Sequence, residues 1–525
     1  MTEKGTSLFS VDMSRRSFTA LAAAAGAAVA LGGGASKQAL AVDAEATPAA
    51  EEEGIKRVRT MCRGCGKMEC CVWVTVENGR ATKIEGDEGN FGSYGNCCTK
   101  SQASLQACYH PDRLRYPLKR TNPKGDADPG WVRISWDEAL QTMADKYGEI
   151  VDTYGENSIM TMCGTSRQYA GVGCRILGSS VFKTANHWHV YQICKGPRHW
   201  ATMFQSNRAF SWMATVDRPR VFVQWGGASE ISNYDDSCRT TVDVATKADF
   251  HISVDPRMTN MGKEADLWLP LRPGTDGAMA LGWLNVIINN NLYNEMWVKR
   301  WTDLPFLVVE DMEATEMTNF VTASTKPIRT KLLKESDLIE GGSANRFMVW
   351  DAIGDRLTYF DTDTGYWENE APLNITSGRQ LPGHEVYQEN MVPGVTPGYV
   401  PDLSDFSRCD PIIDPAIEGT YSITLKDGRD LTARPAWEYF VEHVNRYDPD
   451  TVADICGVPA EDIVKAATIY ATPIDPSTGY GNGGIQYMLA IEHSCNAVQT
   501  ARALDAIVGL TNNFDTPGGH RGPTI

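Results

Sequence analysis

Four things are missing from this sequence, and each absence removes a class of function. Outside a short run near the start, no stretch is long and apolar enough to span a membrane, which takes about 20 predominantly apolar residues. There is no excess of positive charge. The formal charge is −17, with 66 acidic against 49 basic residues, so nucleic acid and anionic lipid are poor partners. There is no G-x-G-x-x-G loop, so NAD is not implied. No internal repeat is present, which sets aside solenoids and propellers. What remains is a 525-residue chain, 42% hydrophobic, with room for several domains and a large core.

The amino end has its own pattern. Ser14-Arg15-Arg16-Ser17-Phe18 leads into an Ala/Gly-rich run over residues 19–31, and Ala39-Leu40-Ala41 offers a small-residue cleavage site. This ordered pattern predicts a twin-arginine export signal over residues 1–41, followed by an Ala/Pro/Glu-rich linker over 42–56 of disordered composition. The apolar run is too short and weak to remain as a membrane helix. The mature chain is therefore expected in the periplasm or at the outer face of the cytoplasmic membrane, with no span of its own. Export in the folded state lets a cofactor be inserted before crossing.

Fourteen cysteines in an exported protein suggest disulfides, but half of them cluster before residue 110, which favours metal. Cys62 and Cys65 form a C-x-x-C pair, Cys70 and Cys71 follow, and Cys97 and Cys98 come later. Four soft thiolates suit zinc or an iron–sulfur cluster. A compact three-cysteine run with a distant fourth favours [4Fe-4S] over a zinc ribbon, which tends to use two similar knuckles. Val72, Val74 and Val76 alternate with Trp73 and Thr75 and predict a strand; Asn78-Gly79 predicts a hairpin turn, with a return strand over 81–84. Alternation puts Cys70 on the face of Val72 and Val74, and Cys71 on the other. We take Cys62, Cys65, Cys70 and Cys98 as the ligands, with Cys71 and Cys97 as alternates; a structural zinc site is the competing reading.

Further along, Ser135 and Glu138 form a capping box. The helix behind it is expected to bury Trp136, Leu140, Met143, Tyr147, Ile150 and Val151 and to end near Gly155. A short strand over 159–163 stops at a Gly-containing turn, which is α/β grammar. Residues 187–199 then hold His187, His189, Cys194, Lys195, Arg198 and His199, a density that reads equally as a polar loop. Strands are expected over 221–225 and 251–254 with a helix over 236–246 between them. The glycine turn Gly226-Gly227 and the acid Asp255 at the strand ends have the physics of dinucleotide binding. Asp276 is either a ligand group or an N-cap for an amphipathic helix over 276–288. Residues 303–435 read as an elaborated loop region with a few short strands. Gly479 to Gly484 form a glycine-rich loop before a long helix, about 487–508, on which His493 and Cys495 should be packed.

C-x2-C-x4-C, the V-x-N-G hairpin, I-x-G-D and the distal C-x-K resemble the N-terminal domain of the DMSO reductase family. The wording CRGCGKMEC…GNCCTKSQ is similar, within that family, to the catechol dehydroxylases of gut anaerobes. The resemblance implies a [4Fe-4S] cluster and molybdenum, or tungsten, on bis-molybdopterin guanine dinucleotide. It implies that Lys100 stands between cluster and pterin. Cys194-Lys195-Gly196-Pro197 matches the Cys- or selenocysteine-His-Gly-Pro of formate dehydrogenases in register, so Cys194 is implied as the molybdenum ligand. Lys195 and Arg198 form a cationic neighbourhood that lowers a thiol pKa, and Lys195, Arg198 and His199 are implied to bind or protonate a phenolic oxygen. The segments WGGASE, VDPR and RPGTDGA, in that order, are similar to the family's guanine-dinucleotide contacts: Gly226, Gly227, Ser229, Glu230, Asp255, Arg257, Gly274, Thr275 and Asp276.

The expected fold class is α/β: an N-terminal [4Fe-4S] β-hairpin domain (57–115), then Rossmann-like α/β domains binding a molybdopterin dinucleotide (116–302 and 436–525) around the loop region. The family's C-terminal β-barrel domain is expected to be absent, so that the sequence reads as the N-terminal part of a longer enzyme. The implied reaction is reductive dehydroxylation of a small catechol-type aromatic, with a membrane-anchored or iron–sulfur subunit as electron partner. A non-redox hydratase of the acetylene hydratase type, a formate or oxyanion oxidoreductase, and an inactive electron-transfer fragment are the alternatives.

Overall fold

The computed structural model describes residues 54–62, 70–90, 95–163, 169–189, 196–206, 212–213, 219–232, 236–317, 328–371, 379–380, 399–400, 406–472, 483–487, 489–514 and 519–521. The export signal, most of the linker, Cys65, Cys194, Lys195 and residues 479–482 of the glycine-rich loop lie outside them. The chain divides into two compact units, residues 1–192 with 233–239, and residues 193–232 with 240–525.

In the first unit, β1 (Ile55–Cys62), β2 (Cys70–Glu77) and β3 (Arg80–Gly86) form an antiparallel sheet in that order. Asn78 and Gly79 both have positive φ, 49° and 76°, as a two-residue hairpin of this twist requires. The β2–β3 hairpin is as expected; β1 is additional. Its sequence IKRVRTMC has no apolar alternation and is almost wholly exposed, so only backbone pairing with β2 marks it as a strand. After β3 the chain returns on itself. The Gly95 amide donates to the Asp87 carbonyl at 3.1 Å, and a Cβ on Gly86 would lie 2.0 Å from the Gly95 carbonyl oxygen. That close approach needs glycine and carries Cys97 and Cys98 back to the sheet. Cys98 is the N-cap of α1 (Thr99–Gln102).

α2 (Trp136–Tyr154) starts where expected, with the Ser135 hydroxyl accepting from the Glu138 amide at 3.1 Å, and ends at Gly155 with φ 84°. Its expected apolar face is not buried: Trp136, Leu140 and Met143 are 62%, 45% and 51% exposed, and Tyr147, Ile150 and Val151 are half-buried. Helical spacing reports that an apolar stripe exists, not that something covers it. β4 (Thr161–Cys163), α3 (Tyr169–Ile176) and β5 (His187–His189) make a small parallel β-α-β unit.

In the second unit, α4 (Gly196–Ser206) precedes β6 (Val221–Trp225), α5 (Asp236–Lys247, of which 236–239 are grouped with the first unit), β7 (Phe250–Val254) and β8 (Leu267–Leu269). α6 (Asp276–Asn289) and α7 (Glu295–Trp301) follow. Expected to be amphipathic, α6 is instead buried on nearly all sides, because neighbouring helices close over it. Residues 303–435 are more than loop. β9 (Leu307–Val309), β10 (Arg346–Asp351), β11 (Arg356–Asp361), β12 (Tyr366–Trp367), β13 (Tyr421–Thr424) and β14 (Asp430–Pro435) form two antiparallel sheets. These have small cores of their own, around Leu307, Val309 and Ile423, and around Phe306, Phe347 and Trp367.

The chain then runs through α8 (Ala436–Val444), α9 (Pro449–Cys456), α10 (Ala460–Ala471), β15 (Ile485–Tyr487) and α11 (Ala497–Leu510). Tyr487 therefore ends a strand and does not begin the long helix, which starts only at Ala497. His493 and Cys495, expected to pack on that helix, are exposed in the turn before it. The main sheet is parallel throughout, in the order β8-β7-β6-β15. All five residues of β6 are buried, as strands covered on both faces should be. The last strand in sequence lies beside β6, on the side away from β7, so the chain direction across the sheet reverses between β6 and β15.

Candidate functional site

In open parallel sheets, ligands bind beyond the carboxyl ends of the strands where the strand order reverses. Here that point is the end of β6 and β15. Gly226 follows β6 with φ 58°, and a Cβ there would sit 3.0 Å from the Ala490 Cβ. The Gly226 amide donates to the Val254 carbonyl at 2.8 Å, and the Ala490 amide donates to the Gly226 carbonyl at 3.3 Å. A glycine is thus demanded where the chain leaves β6 and passes close to Ala490. Gly227 and the short helical turn Ser229–Ser232 come next. Glu230 is buried and accepts from the Gln224 side-chain amide at 2.9 Å.

The other two expected segments converge on the same edge. Beyond β7, the Asp255 carboxylate accepts from the Arg257 amide at 2.8 Å, forming a tight Asp-Pro-Arg turn that leaves Arg257 exposed. Beyond β8, Gly274 has φ 85° and the Thr275 hydroxyl donates to the Arg272 carbonyl at 2.7 Å. Asp276 does not cap α6. Thr275 holds the N-cap position, while Asp276 is buried in the first turn and accepts from the Trp225 indole at 2.9 Å. Burial raises its pKa above the usual carboxylate range and the neighbouring Asp255 raises it further, against the Trp225 hydrogen bond, which lowers it. The arrangement puts backbone amides, a helix start and acceptor carboxylates along one edge, a donor set that fits a dinucleotide's phosphates and base.

The N-terminus of α4 abuts the same edge. Arg198, expected to bind or protonate a substrate oxygen, is buried. Its guanidinium donates to the Tyr487 carbonyl at 3.1 Å and pairs with the buried Glu492 at 3.2 Å. His199 is half-buried, edge-on to Trp200 at 5.7 Å. Glu492 and Tyr487 had no signal in the sequence: Arg198 and Tyr487 lie 289 residues apart.

In the first unit, strand register pairs Cys62 with Cys70 directly across β1 and β2. The two alternates are engaged within the fold: the Asn90 amide donates to the Cys71 sulfur at 3.1 Å, and the Cys97 thiol meets the Ser101 hydroxyl at 3.4 Å. Lys100 is exposed on α1, two residues after Cys98. Cys62 and Cys70 are brought together; Cys65 lies outside the described residues, and among the described residues no three or more His, Cys, Asp or Glu side chains converge as a metal site.

The family model for molybdopterin oxidoreductases matches residues 113–520. The chain is 53% identical, over 98% of its length, to dopamine dehydroxylase of Eggerthella lenta, of which it covers 52%. It is 27% identical, over 80% of its length, to perchlorate reductase subunit alpha of Dechloromonas aromatica, of which it covers 41%. It spans about half the length of the curated relatives it matches most extensively. Among solved structures, acetylene hydratase from Pelobacter acetylenicus superposes with a TM-score of 0.54 at 19% identity, covering 89% of this chain and 45% of that one. The mixed α/β fold is therefore similar to that of acetylene hydratase; at this identity the likeness speaks for the fold alone.

Proposed function

This chain belongs to the molybdopterin oxidoreductase family, and from that premise we propose that it takes part in reductive dehydroxylation of a catechol-type aromatic. The observation that carries the substrate class is the 53% identity to a relative named dopamine dehydroxylase. Family membership implies a molybdenum or tungsten molybdopterin cofactor. Removing one phenolic hydroxyl consumes two electrons and two protons and releases water; the cofactor, when bound, supplies the two-electron reducing centre.

The residues at the edge of the parallel sheet would hold the dinucleotide. Gly226 and Gly227 let backbone amides approach phosphate, Ser229 and Glu230 begin the following turn, Asp255 and Arg257 face sugar or phosphate, and Gly274, Thr275 and Asp276 receive the guanine end. Asp276 keeps one carboxylate oxygen on Trp225, so it would present the other to the base. Cys194 is the proposed metal ligand. Lys195, Arg198 and His199 are the proposed groups to bind or protonate the departing phenolic oxygen. In the first unit, Cys62, Cys65, Cys70 and Cys98 are the proposed [4Fe-4S] ligands, with Lys100 on the electron path from the cluster. The β-hairpin cluster domain, the twin-arginine signal, a periplasmic setting and an electron-transfer subunit as partner belong to the same reading. Among the described residues no helix is long and apolar enough to cross a membrane.

The test is anaerobic purification of the full-length protein, metal analysis, and turnover of a catechol panel with a reduced viologen dye. Molybdenum or tungsten, iron, and dye oxidation matched to product formation are expected. Cys194→Ala should lose catechol turnover while iron remains; full turnover in that variant refutes the ligand assignment. Product formed without dye oxidation would point to a hydratase.

A further inference from the structure

Arg272 heads the turn that links β8 to α6, and both its backbone and its side chain are engaged. Its amide donates to the Cys456 carbonyl at 2.8 Å. Its Nη1 donates to the carbonyls of Asp454 at 2.6 Å and Ile455 at 3.0 Å. Its own carbonyl accepts from the Thr275 amide at 3.2 Å and from the Thr275 hydroxyl at 2.7 Å.

The acceptors are the end of α9. A helix leaves its last four carbonyls without partners inside the helix. Here the Gly457 amide takes that of Ala453 at 2.8 Å, and Arg272 takes the other three. The arginine charge also faces the negative end of the helix dipole. α9 is seated closely on the same part of the fold. A Cβ on Gly282 of α6 would come within 3.0 Å of Val452, and the buried Cys456 thiol donates to the Thr275 carbonyl at 3.5 Å. An arginine beside a nucleotide site is ordinarily read as a phosphate ligand. This one is spent on the end of a helix, and the turn over residues 272–277 hangs from it.

We propose that Arg272 is a positioning residue: by capping α9 it fixes the turn over 272–277, and so sets where Gly274, Thr275 and Asp276 meet the nucleotide end of the cofactor. The inference rests on the reading of that turn as the guanine site. Its test uses full-length, anaerobically purified protein and two measurements, hydrogen exchange by mass spectrometry and GMP released per chain on acid hydrolysis. Arg272→Met should speed exchange at least fivefold in peptides covering 272–279 and 450–458, and should lower GMP to less than half of wild type. Asp276→Ala should lose GMP while 450–458 keeps its wild-type exchange. Val349→Ala, which opens a cavity in the separate core around Phe347, should lower the melting temperature and keep GMP. Loss of GMP in Arg272→Met with unchanged exchange at 450–458 would make the arginine a direct ligand; loosened segments with full GMP would make it a cap with no bearing on the site. Either overturns the proposal. If wild type itself releases no GMP, the reading of the turn as a guanine site falls, and exchange over 272–279 in Arg272→Met alone decides whether the arginine holds the turn.

Discussion

Among single residues, His251 shows most clearly how burial fixes a protonation state. It is buried in β7, stacked on Phe222 at 5.1 Å, and its backbone amide donates to Asp266 at 2.7 Å. Burial pushes its pKa down from 6.5 to about 4, against the opposing pull of Asp266. The folded state therefore keeps the ring neutral where the unfolded chain would protonate it. The stability this represents is fully present above pH 6.5 and is lost as pH falls from 6.5 towards 4, with a total of about 3 kcal/mol. Thermal melts at pH 7, 6 and 5 should show wild type losing stability relative to His251→Phe at each step; parallel pH profiles would contradict this. Asp276 shows the opposite sign, a carboxyl raised by burial. Asp276→Ala strands the Trp225 indole without its acceptor and should cost about 1–3 kcal/mol. It should also lower co-purifying molybdenum, read by metal analysis.

Secondary elements here are governed largely by their ends. α9 was absent from the sequence-based expectations, although its caps are written plainly. Asp448 accepts from the amides of Asp450 and Thr451, Pro449 occupies the first turn, and Gly457 closes the helix at φ 75°. Arg272 then donates to the carbonyls of Asp454 and Ile455. A Cβ at Gly457 would lie 3.2 Å from the Arg272 Nε. Gly457→Ala should cost about 1–3 kcal/mol through left-handed strain alone, seen as a lower melting temperature. An unchanged melting temperature would mean that the helix end relaxes freely. Elements with local signatures were legible: the Asn78-Gly79 hairpin, the Ser135 cap of α2, and the buried strands β6 and β7. Those without them were not. β1 has no apolar alternation, and β15 is too short to announce itself beside the glycine-rich residues before it.

Across the whole molecule, the two proposed metal centres draw on residues of different compact units, which gives a separable prediction. Cys98→Ser should reduce iron to less than a quarter of wild type, whereas Cys97→Ser, whose thiol already meets Ser101, should keep most of it. Iron and visible absorbance per protein are the measurements. Equal loss in both variants would return Cys97 to the ligand set.

The sequence by itself determined whatever depends on neighbours a few residues apart: strand and helix periods, turns requiring positive φ, and caps. It also carried the order of WGGASE, VDPR and RPGTDGA, which marked the ends of consecutive elements. Tertiary structure alone decided that β15 lies beside β6, so that strand order reverses between them. It decided too that Arg198 meets Glu492, that Asp276 turns to Trp225 and leaves the cap, and that the apolar face of α2 is exposed. Each of these depends on contacts across tens to hundreds of residues, or on whether a surface is covered. Local patterning records a side chain's preference for burial but not the partner that satisfies it.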